Sequence, residues 1–351
     1  MSFLSATGTR LTGRRLVTVT LVCLALCVVV GVIAPLVGVT VGRDGRSIEW
    51  LGFGAFDPAS PVHALVAVRL PRVLASLLVG AALSASGCAL QGWLRNPLAD
   101  PFTLGISSGS SLAAVLAIRL GLERLIGGWG IGAAALVGAV GTLVLVERLA
   151  RVGRNLPPAT VVLAGVTISM FCSAASVLIQ YTSDFTDVSH MLAWMMGSLD
   201  AVRLVSVEYA AVPIGIALVL LVAFGRELNA LAAGPDAAAS LGVAVGRAQV
   251  AVFALASLLV GAAIALAGPI GFVGLIVPHT LRAIIGPDHR ALLPASIFGG
   301  AILLVLCDTL ARTVVAPAHL PTGAVTAVLG GPFFVGILVR QKRRAALWGR
   351  A

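Results

Sequence analysis

AQVAVFALASLLVGAAIALAGPIGFVGLIVPHTL, residues 248–281, runs for 34 residues without a charged side chain. A helix that spans a bilayer needs ~17–25 apolar residues. This run is too long for one crossing. Ala267-Gly268-Pro269-Ile270-Gly271 interrupts it, and Gly and Pro are the residues that punctuate helices. Read as one span, the run gives the chain nine crossings. Split at the breaker, it gives ten.

The rest of the chain has the same character. Of its 351 residues 59% are hydrophobic and 11% are charged, with a mean hydropathy of +1.05. A soluble domain carries about 25% charged residues, so this chain has too much apolar surface to hide from water. Charge-free windows also occupy 16–42, 73–94, 101–118, 125–146, 155–183, 209–225, 291–307 and 313–339. They lack the strict alternation of a membrane β-barrel, and the fold class expected is all-α, polytopic and membrane-embedded. Residues 16–38 resemble the apolar core of a signal peptide, but they are too long and lack a small-residue cleavage site, so they read as the first span.

Charge placement decides between nine and ten. With residues 1–15 inside and ten spans, the outer segments hold Arg43, Arg46, Arg69, Arg72, Arg119, Arg124, Arg203 and Arg312, eight of the 24 basic residues. The inner segments hold the other sixteen, as the positive-inside rule asks. Nine spans would strand the cluster Arg340-Gln341-Lys342-Arg343-Arg344 outside. Ten is the better reading. The net charge of +10 then follows from topology and gives no reason to expect nucleic acid as a partner.

The whole of 1–351 reads as a single transmembrane domain. It has a cytoplasmic N-terminus (1–15), a cytoplasmic segment at 226–247 and a cytoplasmic C-terminus (340–351). The stretches LLVGAALSASG (77–87) and LLVGAAIALAG (258–268) fall in spans 2 and 7. Spans five apart cross in opposite directions, so spans 2–5 and 7–10 form an inverted repeat, a plan common in transporters.

Several chemistries are excluded or disfavoured. There is no GxxxxGK[ST] phosphate loop and only one lysine, Lys342, so the chain cannot cradle and hydrolyse a nucleotide in the usual way. The five cysteines lie in apolar windows, form no CxxC and are odd in number, which suits packing better than metal or disulfide roles. There is no HExxH, and the five histidines are scattered. Ion-driven carriers keep ionisable groups near mid-membrane. Asp308 is the nearest candidate, but it stands four residues before Arg312 and shares its helix face, so an ion pair explains it.

Four stretches carry candidate roles. Gly234-Pro235-Asp236 opens and Gly242 closes a short helix in the inner segment, by the rules for Pro at the first position and Gly past the end. It is either a docking element or an ordinary solvated loop. Arg69-Leu70-Pro71-Arg72 stands at the outer start of span 2, with Arg312 at the outer end of span 9. These arginines either snorkel to headgroups or form a basic patch for an acidic partner. QGWLRNPLADPFTLGISSGS (91–110) joins spans 2 and 3 on the inner face. Its prolines stop the helix, and its small residues, Gly105, Ser107 and Ser108 among them, suit either tight helix packing or the wall of a wide path. The segment 182–204 outside, with SHMLAWMMGSL, is long enough for a short interfacial helix.

Together these residues resemble the FecCD-type permease family, the membrane subunits of ABC importers for iron-siderophores, haem and cobalamin. The matching pieces are RLPR (69–72), GAALSASGCALQ (80–91), NPLADPFTLGISSG (96–109), VLAGVTIS (162–169), GPIGFVGLIVPH (268–279), GPDHRALLPAS (286–296) and LPTGAVTAVLGGPFF (320–334). They cover nearly the whole chain in the family's order. The resemblance implies a second permease subunit, as a homodimer or a paralogous heterodimer, around a central path. It implies two ABC ATPase subunits inside, an extracytoplasmic solute-binding protein outside, and a place in the cytoplasmic membrane. The chain itself would be no enzyme and bind no cofactor, with ATP and Mg held by the partner ATPase.

Carried over by position, Arg69, Arg72 and Arg312 resemble the arginines that meet acidic residues of the binding protein. Gly234, Pro235, Asp236, Ala238, Leu241, Gly242 and Val243 resemble the coupling helix that sits in a groove of the ATPase. Pro157-Pro158-Ala159-Thr160 stands at the inner mouth of span 5, where the family's gate lies and where the family often has hydroxyl residues. Ferric siderophore, the commonest cargo of the family, is the cargo expected, with haem and cobalamin as alternatives. On the residues alone an ion-coupled secondary transporter is the runner-up and a membrane-embedded enzyme comes third.

Overall fold

A computed structural model describes residues 13–36, 39–40, 47–48, 61–126, 129–200, 202–315 and 318–348. The first twelve residues, the last three and most of the expected outer loop at 43–69 lie outside the described residues. Among those described, the chain is helical apart from two antiparallel two-residue strands, β1 (Val39–Thr40) and β2 (Ser47–Ile48).

Among the described residues, seven helices are long and apolar enough to cross a membrane: α1 (Gly13–Ile33), α2 (Pro61–Trp93), α5 (Gly130–Ala150), α6 (Pro158–Tyr181), α8 (Leu204–Ala223), α11 (Val245–Ala267) and α13 (His289–Thr313). Three further apolar stretches are shorter: α3 (Ile106–Arg119), α12 (Val273–Ile285) and the Thr322–Ile337 part of α14 (Thr322–Trp348). Each of these ten overlaps one of the windows read from the sequence. Four small helices complete the described residues' α-helices: α4 (Leu122–Ile126), α7 (Phe185–Met195), α9 (Gly225–Ala233) and α10 (Pro235–Ser240).

The breaker in 248–281 is real. α11 stops at Ala267, and Gly268 follows with φ +69. Phe272 also has a positive φ, +69, just before α12. A bulky residue is held in that region only when its surroundings fix it. Here the ring lies on Gly330 of α14, where a Cβ would come within 2.2 Å of it, and beside Phe334, with centroids 6.2 Å apart.

The window at 101–118 is a helix only from Ile106. The Asp100 carboxylate accepts the Phe102 N–H at 3.0 Å and caps a 3-10 turn over Pro101–Leu104. Gly105, at φ +81, then redirects the chain into α3. Fourteen residues of helix rise about 21 Å, short of a ~30 Å hydrocarbon core.

Helices that are apolar all round can pack only through shape, so small residues set the contacts. α2 lies against α13, and α11 against α5. Gly80 of α2 faces Gly300 of α13, where a Cβ on Gly80 would sit 2.3 Å from the Gly300 carbonyl oxygen. Gly261 of α11 faces Ala139 of α5, where a Cβ would meet the Ala139 Cβ at 2.7 Å. Gly80 and Gly261 are equivalent in the two repeated stretches, so the halves use the same glycine for the same purpose. The core between them holds Leu83, Leu90, Trp93 and Phe253, with the two rings 5.7 Å apart. α1 packs on α13 but leaves much of its length uncovered: Val17, Leu21, Leu26, Val28 and Val32 are more than half exposed, as lipid-facing side chains can be.

Candidate functional site

Two groups of residues stand out, one at each end of α13. The outer group is built on Asp308, which is fully buried. The Arg72 Nε donates to both of its oxygens, at 2.7 and 3.0 Å. Arg312 Nε stands 3.2 Å from Oδ2, one helical turn away on the same face. The Thr322 hydroxyl donates to Oδ1 at 3.1 Å and brings in the start of α14. Arg72 also reaches Asp200 through Nη1, and the Ser198 hydroxyl donates to the other Asp200 oxygen at 2.9 Å.

The loop carrying Ser198 and Asp200 is fixed by its backbone. Ser198 N–H donates to Ala267 at the end of α11 and Gly323 N–H donates to Gly197. Gly197 allows this with φ +66 and no side chain, since a Cβ there would sit 2.2 Å from the Pro269 oxygen. α7, the expected interfacial helix, thereby delivers Asp200 to the arginines.

Arg69 joins the group, and with Arg312 ties it to the end of α1. Arg312 Nη2 donates to the Ala34 carbonyl at 3.3 Å, and Arg69 Nη1 to the Pro35 carbonyl at 3.5 Å. Both oxygens lie just past α1, where a helix C-terminus offers unsatisfied carbonyls and partial negative charge. Arg69, Arg72 and Arg312 face two carboxylates here, Asp200 and Asp308. The Arg72 Nη2 and Arg312 Nη1 donors are buried with no hydrogen-bond partner among the described residues.

This changes the reading of the three arginines. Arg72 (8% exposed) and Arg312 (6%) are inside the folded chain, held by Asp308, and do not form an open surface patch. The carboxylate that removes them from the surface was legible as Arg312's helix neighbour but not as Arg72's partner. Arg69 alone is half-exposed.

The inner group surrounds α10. Gly234 precedes it with φ +118, Pro235 takes the first position and Asp236 lies in the first turn. At its end Gly242 N–H donates to Ala239 at 2.9 Å and Val243 N–H to Ala238 at 3.0 Å, with Gly242 at φ +81. This crossed pair is the Schellman closure that a Gly at this position makes. The expected capped helix is present. Ala238 and Gly234 are buried, Val243 is half-buried and packs on the core, and Pro235, Asp236, Leu241 and Gly242 are exposed. Leu241 is 73% exposed, a large apolar side chain at the tip of the segment.

Pro157-Pro158-Ala159-Thr160 lies beside it. Pro157 precedes α6 and Pro158 is its first residue. The Thr160 hydroxyl donates to the carbonyls of Ala150 and Pro157, both at 2.8 Å, and so joins α5 to α6. Just upstream, the Leu156 N–H donates to the buried Gln249 Oε1 at 2.9 Å. A small cavity, about 30 Å³, is lined by Trp93, Arg95, Pro158, Leu231, Pro235 and Gln249. The start of α6, the start of α10 and the 91–110 connection therefore meet at one place. Arg95, in that connection, has φ +52, and its guanidinium lies along Gly234.

Gly105 and Ser107, expected along the path or in helix packing, are buried. A Cβ on Gly105 would sit 2.9 Å from the Gly165 oxygen of α6, so its role here is close packing. Ser108 is half-exposed.

Residues 17–340 match the model of the FecCD transport family. The chain belongs to the FecCD family. A hemin transport system permease protein, HmuU of Yersinia pestis, is 41% identical over 80% of this chain and 85% of its own length. A cobalamin import system permease protein, BtuC of Halobacterium salinarum, is 39% identical over 84% of this chain and 78% of its own. A solved structure described as an inward-facing conformation of a metal-chelate type ABC transporter is 31% identical, with a TM-score of 0.79 over 93% of this chain and 99% of that one. As a FecCD protein the chain is a multi-pass membrane protein and an importer permease of the metal-chelate type.

Proposed function

We propose that this permease crosses the cytoplasmic membrane ten times. It pairs with a second permease subunit, two ABC ATPases inside and a solute-binding protein outside, and passes a ferric-siderophore-type chelate inward. ATP and Mg belong to the ATPases, and the chain itself holds no cofactor. The observation that carries this reading is the inner group. An exposed, capped two-turn helix is jointed at Gly234 and leads directly into α11, whose Gln249 holds the segment before Pro157. A push on α10 is thus delivered to the start of α6.

Outside, half-exposed Arg69 is the one of the three arginines placed to meet an acidic partner, with Arg72 and Arg312 providing positive potential behind it. Charge complementarity of this kind speeds encounter and sets orientation. Haem is a second reading for the cargo, favoured by the named transport of the Yersinia relative.

The test is reconstitution in vesicles with the partner ATPase and the receptor, using ferric siderophore, haem and cobalamin as labelled cargoes. The expected result is ATP-dependent accumulation of one cargo, reduced at least about tenfold by Arg69→Glu. Accumulation by the chain alone, against a gradient, would overturn the reading.

A further inference from the structure

We propose that Asn229 is a positioning residue that fastens the ATPase-facing segment to the inner end of α13, and through α13 to the outer arginine cluster. The inference rests on the importer reading above.

Asn229 lies on α9, separated from α10 by Gly234 alone. Both ends of its amide are used on the loop before α13. Its Nδ2 donates to Asp288 Oδ1 at 2.8 Å. Its Oδ1 accepts the His289 backbone N–H at 2.9 Å and lies 2.8 Å from His289 Nδ1. A carboxylate oxygen can only accept, so the amide orientation is fixed, and Nδ1 must carry the imidazole proton.

The grip continues around the helix start. Asp288 caps α13 by accepting the Arg290 N–H at 3.0 Å. The His289 ring is buried, and its Nε2 points at α2, where a Cβ on Gly92 would come within 2.3 Å. On the other side a Cβ on Gly225, the first residue of α9, would sit 3.4 Å from the Arg290 Cα. α9 and α2 therefore hold the first turn of α13 between them, and the polar link across that contact is Asn229.

From His289 to Asp308 is nineteen residues, or about 28 Å of helix. Over that length α13 is buried against α2 and touches it backbone to backbone at Gly300. Pro294 removes one helical hydrogen bond near the inner end, but Leu292, Leu293 and Ala295 around it are fully enclosed. A close-packed helix shifts as a unit rather than bending. Displacement of α9 at the inner face then reaches the Asp308 carboxylate that holds Arg72 and Arg312. Receptor docking there reaches α10 by the same route, since coupling between two sites is reciprocal.

The test uses the assembled complex in lipid nanodiscs, with ATPase rate measured in the presence and absence of loaded receptor. Asn229→Ala should bring the ratio of the two rates to about one while the ATPase still co-purifies. Asn229→Asp should do the same, because it sets a second carboxylate against Asp288. The exchange Asn229→Asp with Asp288→Asn rebuilds the donor–acceptor pair and should recover at least about half of the wild-type ratio. A wild-type ratio in Asn229→Ala overturns the inference, and so does an exchange variant no better than Asn229→Asp. If Asn229→Ala fails to assemble, the comparison of Asn229→Asp with the exchange variant decides. A wild-type complex that does not respond to receptor overturns the importer reading, and this inference with it.

Discussion

Arg72 Nε lies 2.7 and 3.0 Å from the two oxygens of Asp308, a residue 236 positions further along the chain. The contact ties the outer start of α2 to the outer end of α13. It also makes one carboxylate answer for two buried guanidinium groups, those of Arg72 and Arg312.

Asp308→Asn removes that carboxylate's charge and leaves both cations enclosed. Breaking a buried pair from one side costs about 3–5 kcal/mol. Thermal unfolding of the detergent-solubilised protein should show a large loss of stability. Asp200→Asn should cost far less, because the Asp200 side chain is 42% exposed and surface pairs contribute about 0–1 kcal/mol.

Leu241→Asp should weaken capture of the partner ATPase without loss of thermal stability. Leu241 is 73% exposed and follows a helix whose own caps are backbone bonds. Co-purification from membranes expressing both subunits measures the first effect. A wild-type yield of ATPase would show that the tip of this segment is not the contact.

Gly87→Ala should prevent folding, because the new Cβ would sit 2.0 Å from the Gly274 carbonyl oxygen, at the contact of α2 with α12. Gly141→Ala on α5 should be tolerated, with nothing within 4 Å of the added carbon. Expression level and monodispersity in detergent distinguish the two.

Burial raises the Asp100 carboxyl from 3.8 to about 6, with the Phe102 N–H opposing it. The folded chain therefore holds this proton more tightly than the unfolded chain, and stability falls as pH rises from about 4 through about 6. Asp100→Asn keeps an oxygen for the Phe102 cap and removes the charge. It should be more stable than wild type at about pH 7.5, with the gain shrinking toward about pH 4.5. Asp288 behaves oppositely. The Arg290 guanidinium, with help from Asn229, holds its carboxyl at about 2. Its contribution is present above about pH 4 and is lost as pH falls toward 2. Melting temperatures over this range test both signs.

What the sequence shows well is local. The breaker at 267–271, the Gly234–Gly242 caps, the short helix within 182–204 and the Asp308–Arg312 turn all depend on neighbours within five residues. Those features are present where the residues place them. The packing of the outer arginines is not local. Span 2 is apolar on every side, so nothing in its pattern says that Arg72 points inward while Arg69 stays half-exposed. Asn229 and His289 were equally hidden. GPDHR at 286–290 was visible as a motif, but the partner that gives it meaning lies sixty residues upstream. The late start of α3 shows another limit: an apolar window fixes neither the first nor the last helical residue, and here the Asp100 cap takes five residues from the helix.

The crossing of Gly80 and Gly300 leaves no slack for tinkering. Each is already the smallest residue there is, and each backbone oxygen would lie 2.3 Å from a carbon added to the other. Elsewhere a bulkier side chain on one helix can be offset by trimming its opposite number. Here there is nothing left to trim, so neither position can drift alone or in concert with the other. Any redesign that needs a wider gap between these helices must shift one of them bodily.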